Sequence, residues 1–272
     1  MLLLVDLDGV VYRGRDPVPG MAELLMRRAK AGDRIVYVTN NSRSHREQYR
    51  ARLERLGVPL LPTPEQSIVS AARATAVLLA EATPPGRVAM VLGGPGLARE
   101  LRDVGIRVVP PTERGLGAAP DTLVVGVDFL LSYERLSVAA DCVRRGARFW
   151  ATNRDAIFPT EDRLMAGAGS IVAAVAFATS HEPDVVVGKP EPHLFEAAAE
   201  LAGVPLGDAV VIGDNLKTDI GAANRVGARS VLMMTGVTSQ AELDQASDSA
   251  RPTRVAQDAA GLAHALAELA SA

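Results

Sequence analysis

Short Val/Ile/Leu runs alternate along this chain with stretches of helical character, and that rhythm constrains the fold more than any other feature. The run from Leu2 to Val5 is followed by a helical stretch from Met21 to Lys30, a second run from Arg34 to Val38, and a second helix from Arg43 to Leu56. Parallel strands need long crossover connections, usually helical, so this spacing predicts βαβ units and a doubly wound parallel sheet rather than a sandwich. The pattern resumes late in the chain with Asp184 to Val187, a helix from Pro192 to Ala202, Ala209 to Ile212, a helix near Leu216 to Val226, and Ser230 to Met233. The run from Asp258 to Leu269 reads as an amphipathic helix. Aromatic residues are only 4% of the chain while Ala, Val and Leu abound, which suits strands buried on both faces.

Between these halves, Pro84-Pro85-Gly86 opens a second α/β series: Val88 to Leu92, Leu97 to Val104, Thr122 to Val125, Tyr133 to Arg144 and Arg148 to Ala151. The expected organisation is an α/β core made of residues 1–80 and 183–272, with an inserted α/β domain over 81–182. The chain has 272 residues and a formal net charge of -3, which gives no general attraction to nucleic acid or to an anionic membrane surface. No stretch reaches the roughly 18 apolar residues of a membrane helix. Met1 to Val5 runs straight into Asp6, without the basic and apolar regions of a signal peptide. Cys142 is the only cysteine, so no disulfide can form within the chain, and a reducing cytoplasmic setting is expected.

The chemistry concentrates at strand ends. Val5-Asp6-Leu7-Asp8-Gly9 ends an apolar strand in two aspartates, at the edge where open α/β sheets bind ligands. One can serve as nucleophile and its neighbour as proton donor, although acids after a strand also serve as turn residues. Val38-Thr39-Asn40-Asn41-Ser42 follows the second strand and supplies a hydroxyl, amides and backbone N–H groups before a helix. Such a segment seats phosphate; equally, Ser44 with Glu47 fits a capping box. Lys189, fixed between Gly188 and Pro190 after an apolar run, is placed to neutralise a phosphoryl group. Val211-Ile212-Gly213-Asp214-Asn215, with Asp219 beyond it, again ends a strand in acid. With Asp6 these oxygens suit Mg2+, a hard cation that takes a few carboxylates and waters, while Asp219 also fits as a helix cap.

The ordered set Asp6/Asp8, Thr39, Lys189 and Asp214/Asp219 resembles the four motifs of the haloacid dehalogenase (HAD) superfamily, whose core is a Rossmannoid parallel sheet. The position of the insertion is similar to that of members with a C2-type cap. Val38 to Ser42, Gly126-Val127-Asp128, Thr152-Asn153-Arg154-Asp155, Gly167-Ala168-Gly169-Ser170, Gly188-Lys189-Pro190 and Gly213 to Asp219 resemble subfamily IIA, the NagD/p-nitrophenyl phosphatase group. The resemblance implies a Mg2+-dependent phosphatase of small phosphorylated metabolites. In it Asp6 is the nucleophile and Asp8 the general acid and base. Asp6, Asp214 and the backbone carbonyl of Asp8 hold the metal, with Asp219 behind them. Thr39, Asn40, Asn41 and Lys189 bind the phosphoryl group, and Asn153 and Arg154 reach the substrate from the cap. Caps of this type often pair, which implies a homodimer.

Glycerol phosphate or phosphoglycolate is the expected substrate, with nucleoside monophosphates or pyridoxal phosphate as alternatives. Phe158 stands where similar pyridoxal phosphatases carry a histidine, and it either faces substrate without donating a hydrogen bond or packs inside the cap. A receiver-type phosphorylation module shares the acids, Thr and Lys, but its phosphorylated Asp lies on a later strand and it has no use for a hundred-residue insertion. Nucleotide-binding glycine motifs fail on spacing, the basic residues from Arg43 to Arg55 are interrupted by Glu47 and Glu54, and His45, His181, His193 and His264 show no metal spacing.

Overall fold

The computed structural model describes residues 1–61, 67–82, 87–160 and 163–271; the expected opening of the insertion at Pro84-Pro85-Gly86 lies outside them. The chain forms two compact units. One comprises Met1–Thr39, Glu47–Val69 and Lys189–Ala272, and the other Asn40–Arg46 and Ser70–Gly188.

The first unit is built on a six-stranded sheet. In chain order its strands are Leu2–Val5, Arg34–Thr39, Ile68–Ser70, Ala209–Gly213, Arg229–Met233 and Arg254–Ala256. Across the sheet they run third, second, first, fourth, fifth, sixth, the doubly wound order that reverses beside the first strand. Leu2 to Val5 pair in parallel with Ala209 to Ile212 on one side and Arg34 to Tyr37 on the other. Leu3, Val5, Ile35, Tyr37, Val210 and Ile212 form one buried face with Leu24, Leu25, Leu53, Leu262 and Leu266 from the helices Met21–Lys30, Arg46–Arg55 and Ala259–Ser271. The alternate residues Leu2, Leu4, Val36 and Val38 are buried too, with the helix His193–Ala202 packed on these strands. Each such side chain contributes about 1.5–3 kcal/mol of burial free energy, and a strand apolar on both faces has no stable position except the middle of the unit. That fixes the strands whose carboxyl ends carry Asp6 and Asp214.

Two helices differ from their expected form. The second begins at Arg46 rather than Arg43, because residues 43–45 are engaged elsewhere: the Arg43 carbonyl accepts the Gly96 N–H. The stretch from Leu216 opens as a π-helical turn, Leu216–Ile220, before Gly221–Arg225. Asn215 caps it, its side-chain oxygen accepting from the N–H groups of Lys217 at 2.9 Å and Thr218 at 3.3 Å.

The second unit carries its own parallel sheet of Val88–Leu92, Arg107–Val109, Thr122–Val125, Arg148–Ala151 and Val185–Val186, ordered second, first, third, fourth, fifth. The Arg107–Val109 strand is too short to stand out in the sequence. Met90, Leu92, Leu123, Val125 and Phe149 form its core with Val138, Cys142, Ile171 and Val172. Contacts place Ser70, the helix Ala71–Ala82 and residues 183–188 in this unit as well, where 81–182 was expected. The cause is local: that helix packs against the helix Pro95–Asp103, and Val185 and Val186 pair with Trp150 and Ala151. An antiparallel ribbon joins Ile157–Pro159 to Leu164–Ala166. No helix among the described residues is long and apolar enough to cross a membrane.

Candidate active site

In the first unit, three strand ends deliver the expected residues to one place. Asp6 follows the first strand, and its N–H donates to Ile212 O at 2.8 Å, which ties it to the neighbouring strand. Beyond it the chain turns tightly. Val11 N–H and Tyr12 N–H both donate to Leu7 O, and Gly9, at φ +83°, donates its N–H to Tyr12 O at 2.8 Å. A side chain at Gly9 would also overlap the Asp214 carboxylate, so this turn and that acid require each other.

Lys189 is the hub. Its buried Nζ donates to Asp6 Oδ1 at 2.5 Å, to Asp219 Oδ1 at 2.6 Å and to Val38 O at 3.2 Å, touching the ends of the first and second strands together. Thr39, the last residue of the second strand, is buried. Asp219 does not cap its helix, since Asn215 does; its second oxygen accepts the Asn215 N–H at 3.1 Å. Asp214 Oδ2 accepts from Val237 N–H at 2.8 Å, and Thr235 Oγ1 donates to Gly9 O at 2.6 Å. Thr235 and Val237 were not singled out from the sequence; the signal available was a strand, Arg229–Met233, followed by Thr235-Gly236.

The electrostatics are unbalanced. Burial pushes the Asp6 carboxyl well above the usual carboxylate range, against the pull of Lys189. Burial, with Asp219 nearby, pushes Asp214 up to about 7. Asp8 is raised by burial despite the charges of Arg52 and Lys189. Burial works against the Lys189 ammonium, yet Asp219 and Asp6 hold it above the ordinary lysine range. Oxygens of Asp6, Asp214 and Asp219 lie within 4.8 Å of one another. Buried acids that crowd each other past the reach of a lysine are a site for further positive charge, and an all-oxygen donor set fits Mg2+.

In the second unit, Asn40, Asn153 and Asp155 form one network. Asn153 Nδ2 donates to Asn40 O at 2.7 Å, Asn153 Oδ1 accepts the Asp155 N–H at 3.0 Å, and Asn40 Nδ2 donates to both Asp155 oxygens at 3.1 Å. Asn41 Oδ1 accepts the Arg43 N–H at 2.9 Å. Arg154 stands apart from the network, with Glu182 as a surface partner. Phe158 is half-buried and packs edge-on against Phe129, ring centroids 5.6 Å apart, with the Arg43 guanidinium 4.5 Å over the Phe129 ring. His45, to which the sequence lent no chemistry, sits beside Glu100 and Asp103 at 3.4 and 2.9 Å.

A doubly wound sheet with four acids and a lysine at its switch point defines a phosphoryl-transfer class of site. The family model for haloacid dehalogenase-like hydrolases matches residues 3–107, and a HAD-hydrolase-like model matches residues 186–262. The chain is 34% identical to the acid sugar phosphatase of Staphylococcus saprophyticus, over 90% of each chain. Its structure is similar to a p-nitrophenyl phosphatase from Archaeoglobus fulgidus, with TM-score 0.87 and 32% identity, covering 97% of this chain and 98% of that one. It is also similar to the glycerol phosphate phosphatase of Mycobacterium tuberculosis in complex with magnesium, with TM-score 0.85 and 36% identity, covering 96% of this chain and 75% of that one. The chain belongs to the haloacid dehalogenase-like hydrolase family, subfamily IIA, and is a phosphatase of that family, whose phosphatases use Mg2+.

Proposed function

We propose that the protein hydrolyses phosphate monoesters of small metabolites through a phosphoryl group carried on Asp6. The observation that supports this most is the Asp6–Lys189–Asp219 chain with Asp214 beside it. A carboxylate oxygen of Asp6 attacks phosphorus, the ester P–O bond breaks, and the leaving oxygen takes the proton of Asp8, which burial helps to retain. Asp8, now ionised, draws a proton from water; the water oxygen attacks phosphorus, the bond to Asp6 breaks, and inorganic phosphate leaves. Asp6, Asp214 and the Asp8 carbonyl would hold Mg2+, which when bound supplies positive charge opposite the phosphoryl oxygens. Lys189 adds charge from the protein side, and Thr39, with Asn40 and Asn41 that continue from it, supplies hydrogen-bond donors. Asp219 holds Lys189 in place. Acid-quenched, substrate-mixed Asp8→Asn should retain protein-bound phosphate, and Asp6→Asn should retain none; label on Asp6→Asn overturns the assignment.

The preferred substrate in this reading is a small aliphatic phosphate such as glycerol phosphate or phosphoglycolate. The similar enzyme of Mycobacterium tuberculosis is a glycerol phosphate phosphatase, and Phe158, packed on Phe129, offers no hydrogen bond to a polar ring. In this reading the second unit is a C2-type cap, and Asn153 and Arg154 are the residues of that cap assigned to substrate binding. A second copy of the chain pairs with it through the helix Ala168–Thr179, which carries no charged residue and leaves Ala173 and Phe177 exposed, Phe177 by 91%. The lone, buried Cys142 supports a cytoplasmic setting.

A further inference from the structure

The segment Asn40–Arg46 forms neither strand nor helix until its last residue, yet it carries the proposed phosphate donors Asn40 and Asn41. Irregular backbone must find its hydrogen bonds elsewhere, and here one helix supplies those at the Arg43 and Arg46 end. Gly96, in the first turn of Pro95–Asp103, donates its N–H to Arg43 O at 3.2 Å. A Cβ at Gly96 would overlap Arg43 O and stand 2.6 Å from His45 N, and these are backbone atoms that cannot swing aside as a side chain can. One turn on, the fully buried Glu100 accepts the Arg46 N–H at 2.9 Å on Oε1 and the Arg46 guanidinium on Oε2. Another turn on, Asp103 Oδ2 meets Arg46 Nη2 and His45 Nε2, each at 2.9 Å. Positions 96, 100 and 103 share one helix face. The other end of the segment is fixed as firmly: Asn153 holds Asn40 O, Asp155 holds the Asn40 side chain, and Thr152 Oγ1 donates to Ser42 Oγ at 3.1 Å.

His45, Glu100 and Asp103 have the spacing of metal ligands, but both Glu100 oxygens already bond Arg46. A buried ion cluster adds little net stability over apolar packing, and its best-attested use is to fix one geometry. We infer that the helix Pro95–Asp103 splints the Asn40–Arg46 segment, and that Gly96, Glu100 and Arg46 are positioning residues for phosphate binding. This rests on the reading that Asn40 and Asn41 bind phosphate.

The test measures inhibition by inorganic phosphate of p-nitrophenyl phosphate hydrolysis, using the full chain with Mg2+, alongside the Mg2+ concentration for half-maximal rate and the melting temperature. Misplacing a binding group by an ångström can cost about 10²-fold, so Gly96→Ala and Arg46→Met should each raise the phosphate inhibition constant by about tenfold or more. Arg46→Lys should recover most of that loss, Asn40→Ala should weaken phosphate, and Mg2+ dependence should stay unchanged in the Gly96 and Arg46 variants. If Gly96→Ala does not fold, the Arg46 pair decides. A phosphate constant that stays unchanged in folded Gly96→Ala and Arg46→Met, while Asn40→Ala weakens it, overturns the splint and leaves the site reading intact. An unchanged constant in Asn40→Ala overturns the reading of Asn40 as a donor and the inference with it.

Discussion

Each unit of this protein gathers a cluster of charge around buried acid, and the two are composed oppositely. In the second unit, Glu100 and Asp103 are met by Arg46, His45 and the more distant Arg73, whose Nη1 lies 3.8 Å from Glu100. Burial alone would raise Asp103, yet His45 and Arg46 bring its carboxyl below the usual range. In the first unit, Lys189 faces Asp6 and Asp219, and Asp6 and Asp214 are raised. Cations match or exceed acids in one cluster, and acids exceed cations in the other. A balanced cluster keeps a shape, whereas an unbalanced one stores affinity for positive charge that arrives with the cofactor.

The strongest way to break this contrast is at the nucleophile. Asp6→Asn should reduce turnover on the order of 10⁶-fold, the scale seen when a catalytic nucleophile is removed, without unfolding the protein. Asp8→Asn should cost about 10²- to 10⁴-fold. Full steady-state rates of pure, deamidation-free samples check both, and near-normal turnover in Asp6→Asn would end the mechanism proposed.

Stability should separate the clusters by sign. Glu100→Ala removes the acceptor of the Arg46 N–H and an acid on its guanidinium, leaving Asp103 opposite Arg46, and should lower stability by about 1–3 kcal/mol in denaturant titration. Asp214→Asn removes a crowded acid and should stabilise the metal-free protein near neutral pH, while raising the Mg2+ needed for activity. A pH series sharpens this. With its carboxyl at about 7 when folded and about 3.9 when unfolded, Asp214 binds more protons in the folded state between those values. Its contribution is therefore complete below about 4 and is lost as pH rises toward 7. Wild type without metal should lose melting temperature relative to Asp214→Asn across that window; parallel curves would refute the assignment.

The smallest effects belong to the second unit's surface. Phe177→Glu should convert a dimer to a monomer in sedimentation with little change in melting temperature, and a monomeric wild type would refute the pairing. Phe158→His should shift the ratio of kcat/KM values for pyridoxal phosphate against glycerol 3-phosphate by about tenfold or less, since one added hydrogen bond is worth about 1 kcal/mol. An unchanged ratio would mean that Phe158 serves only to pack against Phe129.

What could be read from the sequence was whatever repeats locally. The βαβ rhythm, the acids at strand ends and Lys189 between Gly188 and Pro190 are each visible within a few residues. The splint was not. Glu100 looks like a polar position on an amphipathic helix, and its partner Arg46 is 54 residues away. His45 gave no metal spacing because its neighbours come from another element. Asp219 fitted a cap until Asn215, four residues earlier, was found in that role. Thr235 supports Gly9 across 226 residues, a separation no local pattern reports.

The pairing of Leu2 with Ala209 also sets an order of events during synthesis. The first strand is made before the second unit's sheet but occupies the middle of its own, and one of its two flanks is encoded only after the whole second unit has been made. Domains generally fold as units during translation, so the second unit, whose described strands lie between Val88 and Val186, has all its parts before the first does. Until Ala209–Gly213 emerges, Leu2–Val5 waits with an unpaired apolar edge, the kind of edge that invites aggregation. The nascent chain is therefore most exposed to misassembly in the interval when its nucleophile has been translated and the acid opposite it has not.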